Sequence, residues 1–194
     1  MANTAQQNVA ATVSFALAVY GNYRYLVGRS PFDKHSGFHV DDTPFTSNII
    51  VVLVFWTLLY ILQLGFLVKV FYPATEGLSP SGNTSRAEVT NVISYHFTLF
   101  NALSFVWSIL FARKHWFCSE VILVINFFNI TALYFNHKTY ALKPFDNWAL
   151  IHLPITAFPL SWLLYAIFWN GAVLFHFHHL FGRIVANLLI WDFL

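Results

Sequence analysis

From Asn48 to Val70 the chain is almost unbroken hydrocarbon, with one charged side chain, Lys69, at its far end. A run of that length fixes the solvent, because about 20 apolar residues of helix cross a bilayer core roughly 30 Å thick. In hydrocarbon every backbone N–H and C=O must find its partner inside the protein, and a continuous helix provides it. The remaining chain follows the same pattern. Charged residues make up 9% and hydrophobic residues 58%, with 22 phenylalanines, where a soluble domain carries about 25% charged residues. The fold class is therefore all-α, a polytopic transmembrane bundle forming a single membrane domain over 1–194. Ten Lys and Arg against 8 Asp and Glu, dispersed between the apolar runs, form no basic patch for nucleic acid. No soluble stretch is long enough for a self-contained signalling module. The partners implied are the lipid bilayer and other membrane proteins.

Five spans are expected, near 9–27, 48–70, 88–111, 117–135 and 148–175, with a short hydrophobic segment at 180–194. The first is the least apolar. Ala10, Ser14 and Ala18 recur every four positions in it and would let another helix approach closely, so it reads as a retained packed helix. Polar loops separate the first three spans. The third and fourth are joined only by Ala112–Trp116, which makes them an antiparallel hairpin. Pro154 and Pro159 fall inside the fifth span, each removing a backbone hydrogen bond, and predict a kinked or re-entrant entry. Arg24, Arg29, Lys34, Arg113, Lys114 and Arg183 fall on one side, and Lys69, Arg86, Lys138 and Lys143 on the other. Positive charge prefers the cytoplasm, which places the N-terminus on the lumenal or external face of an endomembrane or plasma membrane. Asn83-Thr84-Ser85, a glycosylation sequon, falls on that same face. The single cysteine, Cys118, closes no internal disulfide.

Polar residues inside the spans are the candidates for function. Asn91, Ser94, Thr98, Asn101, Ser104 and Ser108 line one face of the third span at spacings of three and four. Ser119, Asn126 and Asn129 form a stripe on the fourth. Two such stripes in hydrocarbon meet each other or line a shared interior. Glu120 is the carboxylate of the clear spans, one turn into the fourth helix beside Arg113 and Lys114. There it serves as a helix-end anion or as an acid/base facing the polar stripe. His176 and His179 share a face if the fifth helix continues, but they lack the further ligands that a metal site needs. His96 and His152, on neighbouring spans, are the pair that could ligate a haem. No metal or other cofactor is predicted.

With these segments in view the chain resembles a fungal family of multi-pass membrane proteins defined by a domain of unknown function. The likeness rests on Thr43-Pro44-Phe45, Asn91 to Phe97 and Arg113 to Phe117 leading into Glu120 and Ile125 to Asn129. It continues through Leu133-Tyr134-Phe135, Ile151 to Pro154, Pro159 to Trp162 and Arg183 to Asn187. It implies an all-helical membrane protein with no assigned reaction, and more hydrophobic sequence beyond the Arg183–Asn187 segment than Trp191–Leu194 supplies.

Three functions fit the residues. The first is a structural or partner-binding membrane protein with a polar helix–helix seam, which leans away from an enzyme. The second is a small enzyme acting on a lipid or isoprenoid, with Glu120 as acid/base and His115, His152 or Asn126 positioning the substrate; it requires those groups to converge in one cavity. The third is a transporter or channel with Asn101, Asn126 and Asn129 around a continuous path.

Overall fold

The computed structural model describes residues 2–28, 43, 45, 49–71, 86–142, 145 and 148–176. Five helices account for nearly all of them, with no strand among the described residues. Helix α1 spans Ala2–Gly21 and runs on through a π-helical turn, Asn22–Val27, that stops at Gly28. Gly28 takes a left-handed φ of 66°, and its N–H returns to the Tyr23 carbonyl at 3.0 Å, a conformation that glycine adopts without steric cost. Helix α2 is Ile49–Phe71, α3 is Arg86–Ala112 and α4 is Trp116–His137. Helix α5 covers Trp148–Leu174. Helices α2 to α5 are long and apolar enough to cross a membrane by length and composition; α1 is not among them.

The helices close into a ring. Helix α1 packs on α3, α3 on α4, α4 on α5, α5 on α2, and α2 returns to α1. The α1–α2 seam is fixed by an edge contact of Phe15 on Tyr60 at 5.9 Å and by Asn22 Nδ2 donating to the Tyr60 hydroxyl at 2.5 Å. Inside the ring four tryptophans are buried: Trp56, Trp107, Trp162 and Trp169. Trp162 meets Trp56 at 5.0 Å and Trp107 at 5.9 Å, and Trp169 meets Phe111 at 4.8 Å. A second apolar cluster of Ala11, Phe66, Ile93, Phe97, Leu133, Ile151 and Ile155 fills the other half. The outer surface is apolar as well: Val51, Val54, Leu58, Ile61 and Leu64 on α2, and Phe117, Phe128 and Phe135 on α4, are exposed. Spacings of three and four carry those residues along the lipid side of each helix.

Helix α1 departs from the expected pattern in two ways. It starts at Ala2, well before the apolar run. Its close-packed face is Ala11, Ser14, Ala18 and Gly21, while Ala10 is exposed. A strict four-residue repeat drifts by about 40° per step around a helix of 3.6 residues per turn, whereas steps of three and four hold one face. At Gly21 the approach of α3 is tightest: a Cβ there would lie 2.6 Å from Ser108 Oγ and 2.7 Å from Phe105 Cδ2.

The α3–α4 turn is Arg113–His115, with Lys114 left-handed at φ 61° and the His115 N–H closing on the Leu110 carbonyl at 2.9 Å. Helix α5 stays helical through both prolines. Trp148–Ala157 is π-helical, with Pro154 inside it, and Phe158–Leu174 is α-helical with Pro159 in its first turn. Wider winding, not a re-entrant break, absorbs the missing donors.

Candidate functional site

The α3 and α4 stripes do meet, over part of their length. Asn126 Nδ2 donates to the Phe100 carbonyl at 3.1 Å and to Ser104 Oγ at 3.4 Å. Asn129 Nδ2 donates to the His96 carbonyl at 3.2 Å and to Asn126 Oδ1 at 3.4 Å, while Asn129 Oδ1 lies 2.7 Å from His96 Nδ1. Both asparagines are buried and their amides are consumed by α3, so they act as adhesive between the two helices. Ser108 instead turns back to the Phe105 carbonyl at 2.8 Å beside Gly21, and the Asn91 side chain lies outside the described residues.

Ser119 leaves the stripe for α5. Its hydroxyl approaches Asn170 Oδ1 at 2.6 Å, and Asn170 Nδ2 donates to Glu120 Oε2 at 2.6 Å and to the Trp116 carbonyl at 3.0 Å. Ser119 and Asn170 are fully buried; Glu120 is half-buried. Glu120 thus pairs across to α5, not with Arg113 or Lys114, which are exposed on the turn. Asn170 as its partner was not visible in the sequence, where fifty residues separate the two.

His152 sits at the other end of the α4–α5 pair. Its Nδ1 lies 3.0 Å from Thr139 Oγ1, which reaches Thr156 Oγ1 at 3.1 Å, and all three residues are buried. Thr139 follows the C-terminus of α4; 1.5 Å per residue along that helix separates His152 from Glu120 by about 25 Å. His115 is exposed on the Arg113–His115 turn and Asn126 belongs to the seam. The structure therefore does not bring Glu120, His115, His152 and Asn126 together. His96 and His152 also take separate partners, Asn129 and Thr139. His176 is exposed at the end of α5 with a φ of 53°, and His179 and Asn83 lie outside the described residues. Among the described residues no cluster of three or more His, Cys, Asp and Glu is placed to hold a metal.

The interior of the ring holds polar groups of a different kind. Asn101 and Gln63 are fully buried. The Asn101 amide nitrogen returns to the Phe97 carbonyl of its own helix at 3.1 Å, and its Oδ1 has no hydrogen-bond partner among the described residues. Gln63 Nε2 donates to the Pro154 carbonyl at 3.3 Å, and its Oε1 likewise has none. Pro159 lies five residues beyond Pro154 and lacks the N–H that π-helical pairing would supply to that carbonyl, so Gln63 answers a gap in α5. The Phe66–Phe97 ring contact at 5.2 Å aligns antiparallel α2 and α3. Gln63 lies one turn before Phe66 and Asn101 one turn after Phe97, which brings the two carboxamides to one depth inside the ring. Ser94 Oγ and Trp107 Nε1, also on α3, are buried without hydrogen-bond partners among the described residues. Gln63 was missed in the sequence, although it is the one carboxamide within helix α2, Ile49–Phe71. Each uncompensated carbonyl in such a place costs about 1–3 kcal/mol.

A family model described as TSPO-like protein matches residues 8–191, a range that takes in α2 to α5 and α1 from its seventh residue onward. The chain belongs to the TSPO-like protein family. A TSPO-like protein is a multi-pass integral membrane protein, and the ring of apolar helices fits that class. The class is the one implied by the resemblance of the Arg113–Phe117 region to a fungal family, under a different family description. No curated protein and no solved structure matches this TSPO-like chain.

Proposed function

We propose that the protein is a non-enzymatic membrane binding bundle whose interior takes up an apolar molecule that offers hydrogen-bond donors to Asn101 Oδ1 and Gln63 Oε1. The observation that carries this reading is the pair of orphaned carboxamide oxygens at one depth, set in a tryptophan-rich interior. A polar side chain that only fastened helices would be spent on a neighbour, as Asn126 and Asn129 are. Asn101 spends its amide on its own helix and presents an oxygen to the core. The seam keeps the ring closed and the interior provides the binding surface. The separation of Glu120 from His152 along α4, about 25 Å, supports a role without covalent chemistry.

Asn101→Leu tests the reading in delipidated protein. If the oxygen is reserved for a bound molecule, removing it leaves the empty bundle as heat-stable as before or more so, since replacing an unpaired polar group by an apolar one of similar shape is neutral or stabilising. A fall in stability would show that Asn101 fastens the helices and would overturn the proposal.

The same proposal places the N-terminus on the lumenal or external face, with the Arg113–Lys114 turn in the cytoplasm, and keeps the fungal affiliation suggested by the sequence. Other membrane proteins are expected to contact the lipid-facing surface.

A further inference from the structure

We infer that His96 and His137 form a two-imidazole site for a divalent transition-metal ion, at the end of the α3–α4 pair opposite the Arg113–His115 turn. Their rings lie 6.3 Å apart on adjacent helices. The contact of His96 Nδ1 with Asn129 Oδ1 at 2.7 Å fixes which nitrogen is available. Asn129 Nδ2 already donates to the His96 carbonyl and to Asn126 Oδ1, so the oxygen of that amide is the acceptor and His96 Nδ1 is the donor. The lone pair of neutral His96 is then on Nε2. A ring N–H held by a carbonyl oxygen, with the other nitrogen left to ligate, is the arrangement that orients metal-bound histidines.

Distance and access agree. An ion bonded to one nitrogen of each imidazole at about 2.0–2.1 Å sets the two ring centres roughly 5 Å apart at a tetrahedral angle and roughly 6.5 Å apart when the nitrogens are trans, so 6.3 Å fits the trans pair of a square-planar site. His137 is exposed as the last residue of α4, where the helix meets water, so its ring can turn onto an ion arriving from solution. Imidazole ligands suit copper, nickel and zinc, with copper bound more tightly than zinc. Since no third His, Cys, Asp or Glu joins the pair among the described residues, water completes the coordination. This site lies apart from the Gln63–Asn101 interior and does not depend on the function proposed for it.

The test is calorimetric titration of the full chain, without a polyhistidine tag, in detergent, using copper(II) or zinc chloride alone. One ion per chain is expected, with copper the tighter. His137→Asn, at an exposed position that leaves the thermal midpoint unchanged, lowers affinity by at least about tenfold, on the scale of losses seen when metal sites are perturbed. His176→Asn, at the opposite end of the bundle, leaves it unchanged. Electron paramagnetic resonance of the copper form shows two coordinating nitrogens in the parent and one in His137→Asn. Absence of 1:1 binding, unchanged affinity in His137→Asn, or an equal loss in His176→Asn would overturn the assignment.

Discussion

Asn126→Leu removes the centre of the α3–α4 seam. The amide nitrogen of Asn126 makes one well-formed interhelical bond, 3.1 Å to the Phe100 carbonyl, and a long one, 3.4 Å to Ser104 Oγ; its oxygen accepts a second long bond from Asn129. None of the partners is stranded by the change. Ser104 keeps its 2.7 Å bond to the Phe100 carbonyl, and Asn129 keeps the His96 carbonyl. The loss is therefore confined to the bonds themselves, at about 0.6 kcal/mol on average and roughly 1.7 kcal/mol at most for one interhelical bond in a membrane. The three together come to about 1–2 kcal/mol, since two are long. Asn129→Leu costs more, about 2–3 kcal/mol, because it also leaves the His96 Nδ1–H without its acceptor. The double variant loses less than the sum, as the Asn126–Asn129 bond is counted in both. Unfolding in mixed micelles with increasing dodecyl sulfate, followed by tryptophan fluorescence and circular dichroism, measures all three. If Asn126→Leu is neutral, or if the two changes add without coupling, the seam does not hold the hairpin as described.

Three further outcomes follow from the packing. Gly21→Ala forces a methyl into the Ser108–Phe105 contact and costs about 1–3 kcal/mol as overpacking, read as a lower thermal midpoint. Glu120→Gln keeps an acceptor for Asn170 and changes stability by less than about 1 kcal/mol, whereas Asn170→Leu strips Glu120 of its partner, while Ser119 keeps the Trp116 carbonyl at 2.8 Å, and costs about 1–3 kcal/mol; the same unfolding assay ranks them. Gln63→Leu is destabilising through the freed Pro154 carbonyl, and Pro159→Ala, by restoring an N–H, makes that loss smaller; a cycle without coupling contradicts the role given to Gln63.

The apolar runs announced the helices, and regular steps of three and four announced which faces of α3 and α4 avoid lipid. Those signals are local, and a helix carries them in any surroundings. What a helix touches is not local. Asn170 meets Glu120 and Gln63 meets Pro154 only after the ring closes, so the partner of Glu120 and the polar group under the proline were hidden. The shift from Ala10 to Ala11 arises because close packing follows 3.6 residues per turn, not a fixed repeat. Asn101, Asn126 and Asn129 looked equivalent as a polar set; the structure separates the two that are fully engaged from the one with an oxygen to spare.

Native mass spectrometry of the protein released from native membranes tests the central claim most directly. The account predicts one small apolar molecule per chain in the parent protein and none in the Asn101→Leu, Gln63→Leu double variant. A parent that leaves the membrane as bare polypeptide, or a double variant that keeps the same bound molecule, would contradict it.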